Sequence, residues 1–195
     1  MALISDSARF VFVHIPKTGG TSVRAALANH ATDRYFERSP VTKHLRAREV
    51  LSQHPSVPFD DYFTFAIARN PYDLLVSFWT YKMENPFHPD YVNVARLGSF
   101  TAWAEQHVRQ PGMAQTCFTH DETGNQLVDD VGRFEDLGSD FATIAAKLGG
   151  DVGELRHENA SSRRPSDDMI TPQLREIVAD AWSDDFANFG YDPQV

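Results

Sequence analysis

The run "FVFVHI", residues 10–15, is apolar at every position but one and reads as a strand buried on both faces. Small and polar residues follow, and from 20 to 29 the apolar positions take helical spacing. A second strand is predicted over 61–69, "DYFTFAIAR", ending on a cation. Asn70 then suits an N-cap and Pro71 a first helical position. The helix they open carries Tyr72, Leu75, Val76, Trp79 and Met83 at helical intervals. Ser139 is placed to cap another helix, with Phe141, Ile144, Ala145 and Leu148 on one face and Gly149 at its end. Thr171 and Pro172 start a last one, with Leu174, Ile177, Val178, Ala181 and Trp182 facing inward. The stretch 85–96, "NPFHPDYVNVAR", is Pro-rich and keeps no period, so it reads as a long loop. Strands alternating with helices predict an α/β fold, a central parallel β-sheet flanked by helices. No repeat or compositional break divides the chain, and residues 1–195 are expected to form a single domain.

Composition narrows the classes of function. With 42% apolar and 23% charged residues the chain is an ordinary globular sequence. Its formal charge of -9 argues against nonspecific nucleic-acid binding, which needs a broad basic surface. Cys117 is the sole cysteine, so no intrachain disulfide can form. No stretch approaches the roughly 20 apolar residues of a membrane span, and no basic, apolar leader opens the chain. The expectation is a soluble, cytoplasmic protein without a transmembrane segment.

The chemistry begins where the first strand meets the first helix. In "HIPKTGGTS", Lys17 supplies a mobile charge, and Thr18, Thr21 and Ser22 supply hydroxyls. Gly19 and Gly20 let the backbone approach an anion closely. A turn feeding a helix N-terminus is a ready phosphate site; the plainer alternative is a tight turn with a lysine facing solvent. The order of residues is not that of the nucleotide-triphosphate loop GxxxxGK[ST], because Lys17 precedes both glycines and His14 stands at the first Gly position. The strand ending at Arg69 also finishes in a cation where such an enzyme often has a magnesium-binding Asp. Asp129 and Asp130 are the weak candidates for that acid.

"HIPKTGGTS" together with "FAIARNPYDLLVSFW" resembles the Golgi-type carbohydrate sulfotransferases and their bacterial relatives, including heparan sulfate 2-O-sulfotransferase-type enzymes. Three later segments are similar as well: "GRFEDLGSDFATIAAKLG", "HENASSRR" and "DDFANFGYD". The resemblance implies a single P-loop-like domain. It implies that the first motif, Lys17 to Ser22, holds the 5′-phosphosulfate of 3′-phosphoadenosine 5′-phosphosulfate (PAPS) as co-substrate. It implies that Arg69 and Ser77, eight positions apart, hold the 3′-phosphate. Asn159, Ser161 and Arg163 are further candidate donors, unless that segment is simply a solvated loop. Leu74 departs from relatives that carry Arg after the Asp of the second motif. The implied acceptor is a carbohydrate or another hydroxyl compound. Residue chemistry alone leaves it open.

Sulfuryl transfer should need positioning and charge stabilisation in line, with Lys17 on the leaving phosphate and no metal. No His/Cys spacing suggests zinc. A base must take the acceptor proton. Of eight histidines, His14 in the first strand is expected to be structural. His44 is the candidate base, because the family places a histidine in a similar position and "KHL" resembles that segment; His88 and Glu84 are the fallbacks. Thr42 is a candidate cap for the helix after it, and Lys43 a possible sulfate contact. Two rival readings stand beside this one, a small P-loop kinase and a nucleotide-binding module without turnover.

Overall fold

The apolar runs become neighbouring strands in the computed structural model, which describes residues 2–28, 34–35, 44–55, 58–148, 153, 155 and 168–194. Strands β1 (Leu3–Ser5), β2 (Phe10–Val13), β3 (Arg34–Tyr35), β4 (Phe63–Ala68) and β5 (Asp130–Arg133) form one sheet in the order β3-β1-β2-β4-β5. The centre is parallel as expected: Phe10 pairs with Phe63 and Val13 with Ala66, while Phe65 pairs with Asp130 and Ala68 with Arg133. Two short antiparallel strands extend it, β1 against β2 and β3 against β1, which three- and two-residue segments are too brief to announce by periodicity.

The chain divides into two compact units, residues 1–68 with 115–159, and residues 69–114 with 160–195. In the first, alternation along the strands sends side chains to two cores. Phe10, Phe12, Phe65 and Ile67 face helices α1 (Gly20–Ala26) and α7 (Leu137–Lys147), meeting Val23, Leu27, Phe141 and Ile144. Val11, Val13, Ile15 and Ala66 face the other way, toward Leu45 and toward Ala47 and Val50 of α2 (Ala47–Gln53). Both faces are dry, which is why the strands carry almost no polar positions.

Helix α7 starts three residues earlier than a Ser139 cap predicts. Asp136 is the N-cap residue, and the Ser139 hydroxyl donates back to its carbonyl at 3.0 Å. Phe141, Ile144 and Leu148 are buried along it as expected, with Ala145 at the margin. Beyond it, α6 (Thr116–Thr119) leads through a turn to β5.

The second unit is helical. Helix α3 (Pro71–Met83) starts as its sequence dictates, with Asn70 Oδ1 accepting from Tyr72 N at 2.9 Å. The stretch expected to be a loop over 85–96 is one only in its first half; Tyr91–Arg96 forms α4, buried solely through Val94. Helix α5 (Phe100–Val108) stacks on α8 (Pro172–Ala181), and α9 (Ser183–Phe189) follows. Thr171 caps α8 through Leu174 N at 3.2 Å. Leu174, Val178 and Trp182 are buried, whereas Ala181 is exposed, contrary to its expected inward position.

An aromatic cluster fills this unit. Trp103 stacks on His107 at 4.6 Å between centroids and meets Trp79 at 5.7 Å, while Phe78 lies 5.5 Å from His107. Lys82 stands 5.8 Å over the Trp103 ring and pairs with Asp90 at 2.9 Å. Burial among these rings, helped by the Lys82 charge and opposed by that of Asp90, pulls His107 from 6.5 down to about 4. Between those values the unfolded chain binds the proton and the folded one does not. Stability is therefore complete above pH 6.5 and falls as the pH drops toward 4, by about 3 kcal/mol there. His107→Phe, which keeps the ring and loses the proton, should remove that part of the pH slope in urea unfolding followed between pH 7 and 4. Parallel slopes for the two proteins would exclude His107 as its source.

Candidate nucleotide-binding and transfer site

The loop after β2 is fixed residue by residue. Thr18 is fully buried, and its hydroxyl donates to Ile15 O at 2.9 Å. This hydroxyl, expected as a phosphate donor, holds the turn closed here. Thr21 is exposed and Ser22 buried. Lys17 lies in the left-handed region with φ of 67°, which a residue with a Cβ occupies at a cost of about 1–2 kcal/mol. Gly19 follows at φ 79°, and its carbonyl accepts from Ser22 N and Val23 N at 3.0 and 3.2 Å, which opens α1. A Cβ at Gly19 would stand 3.0 Å from Leu137 and 3.1 Å from Phe134.

Gly20 is needed for space. A Cβ there would overlap the imidazole of His14, which lies directly against it. His14 is 7% exposed, stacked on Phe12 at 5.8 Å. It is structural as expected, and its carbonyl does more than close a strand. His44 Nδ1 lies 3.2 Å from His14 O, and the two rings meet edge to face at 4.8 Å. A carbonyl can only accept, so Nδ1 carries a proton; in the neutral ring the lone pair is then on Nε2, the tautomer a base requires. His44 lies in a turn three residues before α2 rather than on the helix itself. Helix α2 begins with Arg46 N donating to Glu49 Oε2 at 2.8 Å. Thr42 and Lys43 lie outside the described residues.

Asp129 and Asp130, the weak candidates for a magnesium-binding acid, are engaged away from the loop. Asp129 Oδ2 accepts from Thr64 N and Oγ1 at 2.6 and 2.8 Å, and Asp130 pairs with Lys147 at 2.6 Å. Both sit at the amino end of β5, whereas the loop follows the carboxyl end of β2.

In the helical unit, Arg69 follows the last residue of β4 and is 5% exposed. Ser77 is buried on α3, whereas the polar residues Asp73 and Thr80 of the same helix are half-buried and Glu84 at its end is exposed. Asn159, Ser161 and Arg163 lie outside the described residues. Sequence reasoning missed the dual part of His14, although one histidine in an apolar strand directly before the glycines was its signal.

If Gly20 is glycine for the sake of His14, Gly20→Ala should destabilise the fold by about 1–3 kcal/mol, although alanine is the better helix former by up to about 1 kcal/mol. Thermal and urea unfolding of the pair of proteins measures this; a stabilised variant would contradict the contact.

Residues 1–133 match the family model described as "Sulfotransferase family". No curated protein and no solved structure matches the chain.

Proposed function

The chain belongs to the sulfotransferase family, and we propose on that premise that it moves a sulfuryl group from PAPS to the hydroxyl of an acceptor, a carbohydrate. The observation that supports this reading is the hydrogen bond from His44 Nδ1 to His14 O, at the strand end that leads into the loop of Lys17, Gly19 and Gly20. The loop suits a phosphosulfate: it offers a cation in a fixed turn, and neither glycine presents a side chain to an incoming anion. The reaction breaks the sulfur–oxygen bond to the 5′-phosphate and forms one to the acceptor oxygen. His44 Nε2 receives the hydroxyl proton as that bond forms. Lys17 stabilises the charge that grows on the departing phosphate. Arg69 and Ser77 hold the 3′-phosphate, the guanidinium as a fork and the serine as a single donor. Asn159, Ser161 and Arg163 remain proposed donors to the same nucleotide. Thr18 contributes through the shape of the loop, and Thr21 and Ser22 stand next to it in sequence. No helix among the described residues is long and apolar enough to cross a membrane.

Two measurements test the scheme. By calorimetry the protein should prefer 3′-phosphoadenosine 5′-phosphate over 5′-AMP by about 2–4 kcal/mol, the worth of a charged bidentate contact, and Arg69→Ala should erase that preference. A wild-type protein that binds both alike would sink the PAPS reading. In a transfer assay with labelled PAPS, His44→Ala should lose roughly 10²-fold or more of its rate while nucleotide affinity stays near that of the wild type. A variant that keeps most of its activity would remove His44 as the base.

A further inference from the structure

The start of α3 is gripped from the far end of the chain. Tyr72, the second residue of the helix, is 2% exposed. Its backbone N–H is taken by the Asn70 cap, and its hydroxyl donates to Pro193 O at 2.7 Å. The guanidinium of Arg175 on α8 lies 4.6 Å over its ring, and Phe186 of α9 packs against it at 5.1 Å. The tail reaches this place by a built path. Gly190 reverses the chain in the left-handed region at φ 68°, Tyr191 N donates to Phe186 O at 3.0 Å, and Gln194 N donates to Asp192 Oδ1 at 2.8 Å. Burial raises the pKa of the Tyr72 hydroxyl, so it stays a donor at any ordinary pH.

Three partners, Pro193, Arg175 and Phe186, thus converge on one side chain, three residues after Arg69 and five before Ser77. A hydroxyl is not needed to pack a tyrosine ring, yet here it is buried and aimed at the last turn of the chain. We propose that Tyr72 is a positioning residue for the 3′-phosphate subsite: the C-terminal tail, holding its hydroxyl through Pro193, sets the first turn of α3 and with it the backbone that carries Arg69 and Ser77. The inference rests on the assignment of those two residues to the 3′-phosphate. Because Ser77 belongs to the same helix, a small shift of this turn moves both donors together. A misplacement of about 1 Å is enough to cost up to 10²-fold where geometry is exacting. Binding of 5′-AMP, which has no 3′-phosphate, should be indifferent to it.

The test is the ratio of affinities for 3′-phosphoadenosine 5′-phosphate and 5′-AMP, measured by calorimetry on four full-fold proteins. These are the wild type, Tyr72→Phe, the chain truncated after Asp192, and the two changes combined. Tyr72→Phe keeps the ring against Arg175 and Phe186 and removes the hydroxyl, with its 2.7 Å bond to Pro193 O and its longer contact with Arg175 O at 3.4 Å. Each single change should lower the ratio about tenfold, and the combination should lower it no further, because both remove one interaction. The melting temperature of Tyr72→Phe should stay near that of the wild type. An unchanged ratio with a lower melting temperature would reduce Tyr72 to a stabilising residue and overturn the proposal, as would effects that simply add. A wild-type ratio near one would instead show that the assignment of Arg69 and Ser77 is wrong, and the positioning role would fall with it.

Discussion

Position 20 has no room for a side chain, because the His14 ring occupies the space a Cβ would take. This contact fixes more than a helix start. It holds the imidazole of His14 between Phe12 and the first turn of α1, so strand, loop and helix share one packing arrangement. The His14 carbonyl then accepts from His44, which joins the turn before α2 to the same strand end. A dense interior transmits such a constraint because neighbours cannot relax independently. The loop of Lys17 is thus bounded by α1, by the strand beneath it and by the histidine pair.

Much of this was legible in the sequence, for physical reasons that also mark the limit. Strands β2 and β4 are buried on both faces, so their apolar runs stand out. Asn70–Pro71 and Thr171–Pro172 carry their helix starts in local chemistry that tertiary structure had no reason to override. Ser139 misled because a serine in the first turn of a helix can bond back to the preceding carbonyl as readily as it can cap. Helix α4 was hidden because only Val94 is buried, so it has no apolar stripe. For the site, residue types marked the loop, but no pattern of types could say which hydroxyls face inward. Thr18 and Thr21 read alike in sequence and differ wholly in burial. The pairing of His44 with His14 joins residues thirty apart, a separation local pattern cannot bridge.

The two units do their work by different means. The first has a sheet with a core on each face and presents backbone geometry at a strand end. The second is built from helices around stacked aromatic rings, where a neutral histidine serves as one more ring. Lys82 and Asp90 form an ion pair at its edge. In a chain with a net charge of -9, the cations that could meet a nucleotide cannot act as a diffuse positive surface. On the proposed function they have to be placed one at a time, by the residues next to strand and helix ends.

Lys17 shows what that placement demands. Its left-handed backbone is unfavourable by itself, and a lysine on a relaxed turn would carry the same charge without it. The conformation persists because its surroundings leave no alternative. Thr18 bonds back to Ile15, Gly19 continues in the left-handed region, and Gly20 is seated on His14. A charge on a flexible stem over a flexible turn would have to be organised during the reaction. Here the turn is organised when the protein folds, so its strain is met by burial of Thr18 and His14 and not by the transition state. In the proposed sulfuryl transfer, where positioning and charge stabilisation supply most of the catalysis, a loop over-determined in this way would let a single lysine serve a departing phosphate.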